Sequence, residues 1–104
     1  MSNDLDIHLL AAQLSSRLGL VDDQTMDLQY SSDGQSFFID VFGKMNSGRI
    51  TAWADGNVDF EVLNTDAEQL LFVHCNEIKS ISDLEPELTA FMSALAEGNP
   101  RVEI

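Results

Sequence analysis

The sequence predicts an α+β fold, an antiparallel four- or five-stranded meander sheet flanked by an N-terminal and a C-terminal helix. Three observations predict it. Apolar residues recur at helical spacing at both ends of the chain, the middle alternates with period two, and Asp33-Gly34, Asp55-Gly56 and Asn64-Thr65-Asp66 punctuate that middle as turns.

From Asp4 to Leu18, the residues Ile7, Leu10, Ala11, Leu14 and Leu18 fall on one helical face, and Leu5 and Leu9 widen the stripe. Ser2, Asn3 or Asp4 offers an N-cap oxygen, and Gly19 stands where a left-handed residue closes a helix. Met26, Leu28 and Tyr30 then alternate with Asp27 and Gln29 as a strand. The run from Phe37 to Phe42 is a second strand, apolar on both faces and so expected inside the sheet. Gly43 to Gly48 reads as a polar loop. Arg49 to Ala54 and Val58 to Leu63 are two strands joined at Asp55-Gly56, a strong hairpin signal, and Glu68 to Asn76 is the last strand. Leu84, Leu88, Phe91 and Leu95 line one face of a closing helix. Ser82 or Asp83 caps it, Pro86 falls in its first turn, where a missing N–H costs least, and Gly98 with Pro100 ends it.

The chain has 104 residues, the length of one domain, which buries about two thirds of its unfolded surface. With 44% hydrophobic residues, six Phe and one Trp it has the material for a core. No repeat or linker divides it, so residues 1–104 are expected to form a single domain. Eighteen Asp and Glu stand against five Lys and Arg, a formal charge of -13. Eleven of the acids lie in the two base-free stretches between Arg17 and Lys44 and between Arg49 and Lys79, so the charge belongs to the folded body. Such a field repels nucleic-acid phosphates and anionic lipid and speeds encounter with a basic protein. Nucleic acid and membrane are therefore not expected as partners. The lone Cys75 cannot form an internal disulfide, acids occupy Met1 to Asp6 where a signal peptide is basic, and no apolar run nears membrane-spanning length. A reducing cytoplasm is the expected location.

Catalytic chemistry is not expected. His74 and Cys75 are adjacent in a strand and point to opposite faces, so they do not share a metal, and Cys75 reads as a small core residue. His8 has no Cys or Ser at motif spacing, and no glycine pattern forms a phosphate loop, so neither metal nor cofactor is expected. A two- or four-residue loop around Asp55-Gly56 pairs Trp53 with Val58 and Thr51 with Phe60. That register puts Trp53 on the core face with Val58, Phe60 and Val62, and it sends Ile50, Ala52, Ala54, Asp59 and Glu61 to the other face. Asp59 and Glu61, with Asp55 at the hairpin rim, are then the candidate partner-binding residues on an acidic sheet face. Asp40 fits either face.

The run from Ile50 to Gly56 with Trp53 near its centre, the alternating acids of Val58-Asp59-Phe60-Glu61-Val62, the strand containing His74 and the helix from Asp83-Leu84 to Leu95 resemble bacterial polymorphic-toxin immunity proteins of the TriTu type. The resemblance covers Arg49 to Ala96, about half of the chain. It implies a small cytoplasmic protein that neutralises a toxin by occluding it, and the acidic charge makes a basic toxin the expected partner. An alternative is a type III secretion chaperone, which the opening from Leu9 to Leu20 and the pI near 4.1 also resemble; such a chaperone binds an effector segment as a dimer. A small enzyme is a third reading, which a deep pocket holding His8 or His74 beside a carboxylate would favour. The oligomeric state stays open.

Overall fold

Each strand pairs with the one before it in the chain. β1 (Thr25–Tyr30), β2 (Ser36–Phe42), β3 (Ser47–Trp53), β4 (Val58–Leu63) and β5 (Gln69–Cys75) form one open antiparallel sheet in the order β1-β2-β3-β4-β5. The helix α1 (Ile7–Leu18) precedes it, and a 3₁₀ turn (Ile81–Leu84) leads into α2 (Glu85–Ala96). This computed structural model describes residues 5–19, 25–43 and 45–96. The architecture is the α+β meander that the sequence predicts, with five strands.

Both helices back the same face of the sheet. Leu10, Leu14 and Leu18 of α1 and Leu88, Phe91 and Leu95 of α2 join Phe37, Ile39, Val41, Ile50, Ala52, Val58, Phe60 and Val62 in one buried cluster. Phe91 tilts against Phe60 with ring centroids 5.7 Å apart. It also presses on the backbone of Gly48, where a Cβ would stand 2.6 Å from its ring. Gly48 is thus a buried strand residue that lets α2 approach β3, and the loop expected over Gly43–Gly48 is shorter, with β3 beginning at Ser47. In that loop Asn46 donates from Nδ2 to the Ala94 carbonyl of α2 at 2.9 Å. The two helices are joined by an ion pair from Arg17 Nη1 to Glu85 Oε2 at 2.6 Å, which holds the Glu85 carboxyl below its usual range.

The helix ends differ from expectation. Asp6 is the N-cap of α1, its Oδ1 accepting from the Leu9 N–H at 3.1 Å, whereas Ser2, Asn3 and Asp4 lie outside the described residues. Gly19 is right-handed, with φ −68°, because its N–H still closes a turn onto the Ser15 carbonyl at 2.8 Å. Ser82 and Asp83 sit inside the 3₁₀ turn and do not cap α2. Asp83 instead accepts from the Lys79 N–H at 2.9 Å. Pro86 does fall in the first turn of α2, and Gly98 and Pro100 lie outside the described residues.

The β3–β4 turn is where separate parts of the chain meet. The Ala54 carbonyl accepts from the Leu5 N–H at 2.8 Å, the Ala54 N–H donates to the Gln35 carbonyl at 2.8 Å, and the Gly56 carbonyl accepts from the Ile78 N–H at 2.9 Å. Gly56 has φ +97°, and a Cβ there would stand 3.1 Å from the Ile78 carbonyl oxygen. Gly56→Ala should therefore destabilise the fold by about 1–3 kcal/mol. The check is urea unfolding, with a lower midpoint at unchanged slope expected. A wild-type midpoint would show that this turn does not hold the hairpin.

Candidate partner-binding face

Strand alternation leaves the second face of the sheet uncovered by either helix. Reading across paired positions gives two central rows. One runs Asp27, Asp40, Arg49, Glu61 and Phe72 from β1 to β5, and the other runs Gln29, Phe38, Thr51, Asp59 and His74. None of these side chains is buried, while their strand neighbours Phe37, Ile39, Val41, Ile50, Ala52, Val58, Phe60 and Val62 all are. Four carboxylates thus share the face with one guanidinium among the described strand residues.

The structure places Asp59 and Glu61 together on this open face, as the alternation of β4 requires. Asp55 is at the hairpin tip and is exposed, but its Oδ1 is occupied by the Asn57 N–H at 3.1 Å and Asn57 Nδ2 at 2.8 Å. It shapes the turn at least as much as it offers a charge. Asp40, whose face the sequence leaves open, lies on the open face between Asp27 and Arg49.

Trp53 is not on the core face. Ala52 pairs with Val58, and the Trp53 N–H donates to the Asn57 carbonyl at 2.9 Å, so three residues, Ala54, Asp55 and Gly56, close the hairpin. An even loop would put Trp53 beside Val58, whereas an odd one shifts the pairing by one residue and turns every β3 side chain over. Trp53 is consequently 37% exposed on the open face, and Ile50 and Ala52 are buried in the core. With Phe42 at 49% and Phe72 at 51% exposure it sets aromatic surface around the charged rows.

Arg49 is held on two sides. Its Nε donates to Asp40 Oδ1 at 2.6 Å and its Nη2 to Asp40 Oδ2 at 3.0 Å, and its guanidinium carbon lies 4.1 Å over the Phe38 ring. The Asp40 hydrogen bonds raise the Arg49 pKa, and the nearby Glu61 carboxylate adds to that. A bidentate pair stacked on an aromatic face is a rigid unit. Asp59 has a different partner, His74 Nδ1 at 2.5 Å. Asp59 lies between His74 and Thr51 in its row, and strands are about 4.8 Å apart, so the imidazole is not set on the hydroxyl as nucleophile activation needs. Cys75 points to the helix side, half-buried against the core, where burial pushes its thiol pKa up and makes it a poor nucleophile. His8 also belongs to the helix side and stacks on Tyr30 at 4.8 Å. Among the described residues no three His, Cys, Asp or Glu side chains converge as a metal site requires.

A helix-backed sheet with one face of carboxylates and aromatics that no other described residue covers is the build of a small protein-binding module. The sequence model of the family described as Immunity protein TriTu matches residues 14–94, and the chain belongs to that family. No curated protein and no solved structure matches the chain. The family match takes in all five strands, including β1 and β2, which lie ahead of the Arg49–Ala96 stretch that carries the resemblance in the sequence. The chain is accordingly a toxin-neutralising binding protein whose partner is a protein toxin, and membership does not favour the secretion-chaperone alternative.

Sequence reasoning missed Arg49, Phe38, Phe42, Phe72 and Asp27 as members of this face. A signal existed for Phe38, Asp40 and Phe42, which alternate with Phe37, Ile39 and Val41. For Arg49 the signal was its isolation between Lys44 and Lys79.

Placement on the open face makes the two large aromatics of the hairpin separable. Phe60→Ala should cost about 3–5 kcal/mol in urea unfolding, because Phe60 is fully buried against Phe91. Trp53→Ala should cost about 1 kcal/mol, the cost of a surface-facing change. Equal losses for the two variants would contradict the register described here.

Proposed function

We propose that the toxin docks on the open face of the sheet, that it presents basic residues there, and that the chain neutralises it by covering the toxin's working surface inside the cytoplasm. The observation that carries this reading is the charge of the face. Of its four carboxylates Asp40 is matched by the Arg49 guanidinium and Asp59 is paired with His74, which leaves Asp27 and Glu61 without a basic partner among the described residues, on a body whose formal charge is -13. Complementary fields raise association rates and reject wrong partners, and at physiological ionic strength they reach about 8 Å. Phe42, Trp53 and Phe72 around the charged rows offer the apolar contact that large aromatics supply in interfaces. The opposite face is occupied by the two helices, so the strand side chains there are spent on the core.

The toxin domain recovered by affinity capture from a cell that makes both proteins, and then purified, serves as the test partner. Asp59→Lys with Glu61→Lys replaces attraction by repulsion, and like charges brought together in a docked interface cost several kcal/mol. We expect the affinity to fall by at least about a hundredfold at low salt, with wild-type binding itself weakening as salt rises. The melting temperature should move little, since both positions are part-exposed on the surface. Unchanged and salt-insensitive affinity would remove this face from the mechanism, and a collapsed melting temperature would make the two carboxylates structural.

A further inference from the structure

Toward the β2–β3 connection, the open face contains a shallow depression lined by Asp40, Phe42, Ser47, Arg49, Glu61 and Leu63. Its charged groups are unequally committed. Both Asp40 oxygens accept from Arg49, while among the described residues no ion pair joins Arg49 to Glu61, which acts on the guanidinium only by longer-range attraction although the two are directly paired across β3 and β4. Directly opposite residues have Cβ atoms about 5 Å apart, well within reach of a guanidinium on a flexible stem. The alternative pairing is therefore available to Arg49, and the structure does not use it. The Phe38 ring beneath the guanidinium and the two Asp40 hydrogen bonds fix it on the β2 side.

We infer that Asp40 and Phe38 are positioning residues that hold Arg49 away from Glu61, and that Glu61 is thereby kept open to receive a Lys or Arg side chain of the toxin in this depression. The incoming aliphatic stem lies along Phe42 and Leu63, and its charged head meets Glu61. Long basic side chains bury their stems on apolar surface in this manner while the head finds its partner. Without Asp40, Arg49 turns to Glu61 and fills the position intended for the toxin's cation. The inference rests on the reading that the toxin docks on the open face, and it adds the side chain that is received and the residues that keep its place vacant.

The experiment compares five variants with wild type: Glu61→Gln, Asp40→Asn, Asp27→Asn, Arg49→Gln and the double variant D40N/R49Q. Two readouts are used, affinity for the purified toxin domain and, in the free protein, the nuclear Overhauser contact between Arg49 Hε and the Glu61 Hγ protons. Glu61→Gln should weaken binding by about 10–100-fold, as expected for losing a docked charge pair. Asp40→Asn should weaken it to a similar degree and produce the Arg49–Glu61 contact. Asp27→Asn removes the same unit of charge from the same row without releasing Arg49, so it should have a clearly smaller effect. D40N/R49Q should recover affinity because nothing remains to fill the depression, and Arg49→Gln alone should bind no worse than that double variant. Equal losses in Asp40→Asn and Asp27→Asn, no recovery in the double variant, or no Arg49–Glu61 contact in Asp40→Asn would overturn the inference. If Glu61→Gln binds like wild type, the docking reading fails at this position, and the Overhauser contact alone still decides whether Asp40 restrains Arg49.

Discussion

The turn formed by Ala54, Asp55 and Gly56 is held by hydrogen bonds to Leu5, Gln35 and Ile78, from the start of the chain, the β1–β2 connection and the approach to the last helix. Those bonds use backbone groups on both sides of Asp55, so the turn cannot lengthen or shorten by a residue without breaking contacts to distant parts of the chain. Its three-residue length then fixes Ala52 opposite Val58 and Ile50 opposite Phe60. From that pairing it follows which side chains of the central strand meet the helices and which meet solvent. A residue in the left-handed region closes such a turn, and Gly56 supplies it at φ +97°.

The two faces that result have opposite physical characters. On the helix side, aliphatic and aromatic residues pack without charge, and a glycine at position 48 lets Phe91 reach the sheet backbone. On the open side, carboxylates occupy the middle and aromatics stand around them. Interfaces more often place apolar anchors in the middle and charge at the rim. The reversed arrangement suits the selection of a basic partner that we propose, because desolvated charge discriminates by sign and position more sharply than apolar area does. Arg49 gives the face its pattern. Instead of a uniform negative patch that any polycation would find, the row reads acid, acid, base, acid across β1 to β4.

Much of this was legible in the sequence because period and punctuation are local signals. The helical stripes of Ile7 to Leu18 and Leu84 to Leu95 and the acids of β4 stand in the structure as the residues indicate, except that Leu9, expected to widen the first stripe, faces away from the core and is 54% exposed. The fate of Trp53 was not legible, since it depended on whether the Asp55-Gly56 loop held an even or odd number of residues, and that was decided by bonds from Leu5, Gln35 and Ile78. Alternation sets Asp40 opposite Ile39 and Val41, but which side of the sheet that is follows from pairing across the β2–β3 connection. Gly19 resembles a left-handed helix terminator and is not one, as the turn onto Ser15 continues through it. The Asp40–Arg49 and Asp59–His74 pairs join neighbouring strands, so they emerge only once register is known.

The central claim is that the toxin sits on the open face of the sheet and not on the helices. Cross-saturation in the complex tests it most directly: protons of the toxin are saturated, and signal loss is recorded along the deuterated immunity protein. The account predicts attenuation centred on the amides and side-chain signals of Thr51, Trp53, Glu61, Leu63 and Phe72. Attenuation centred on exposed positions of the helices, such as Ala12, Ser16, Thr89 and Ala90, would contradict it.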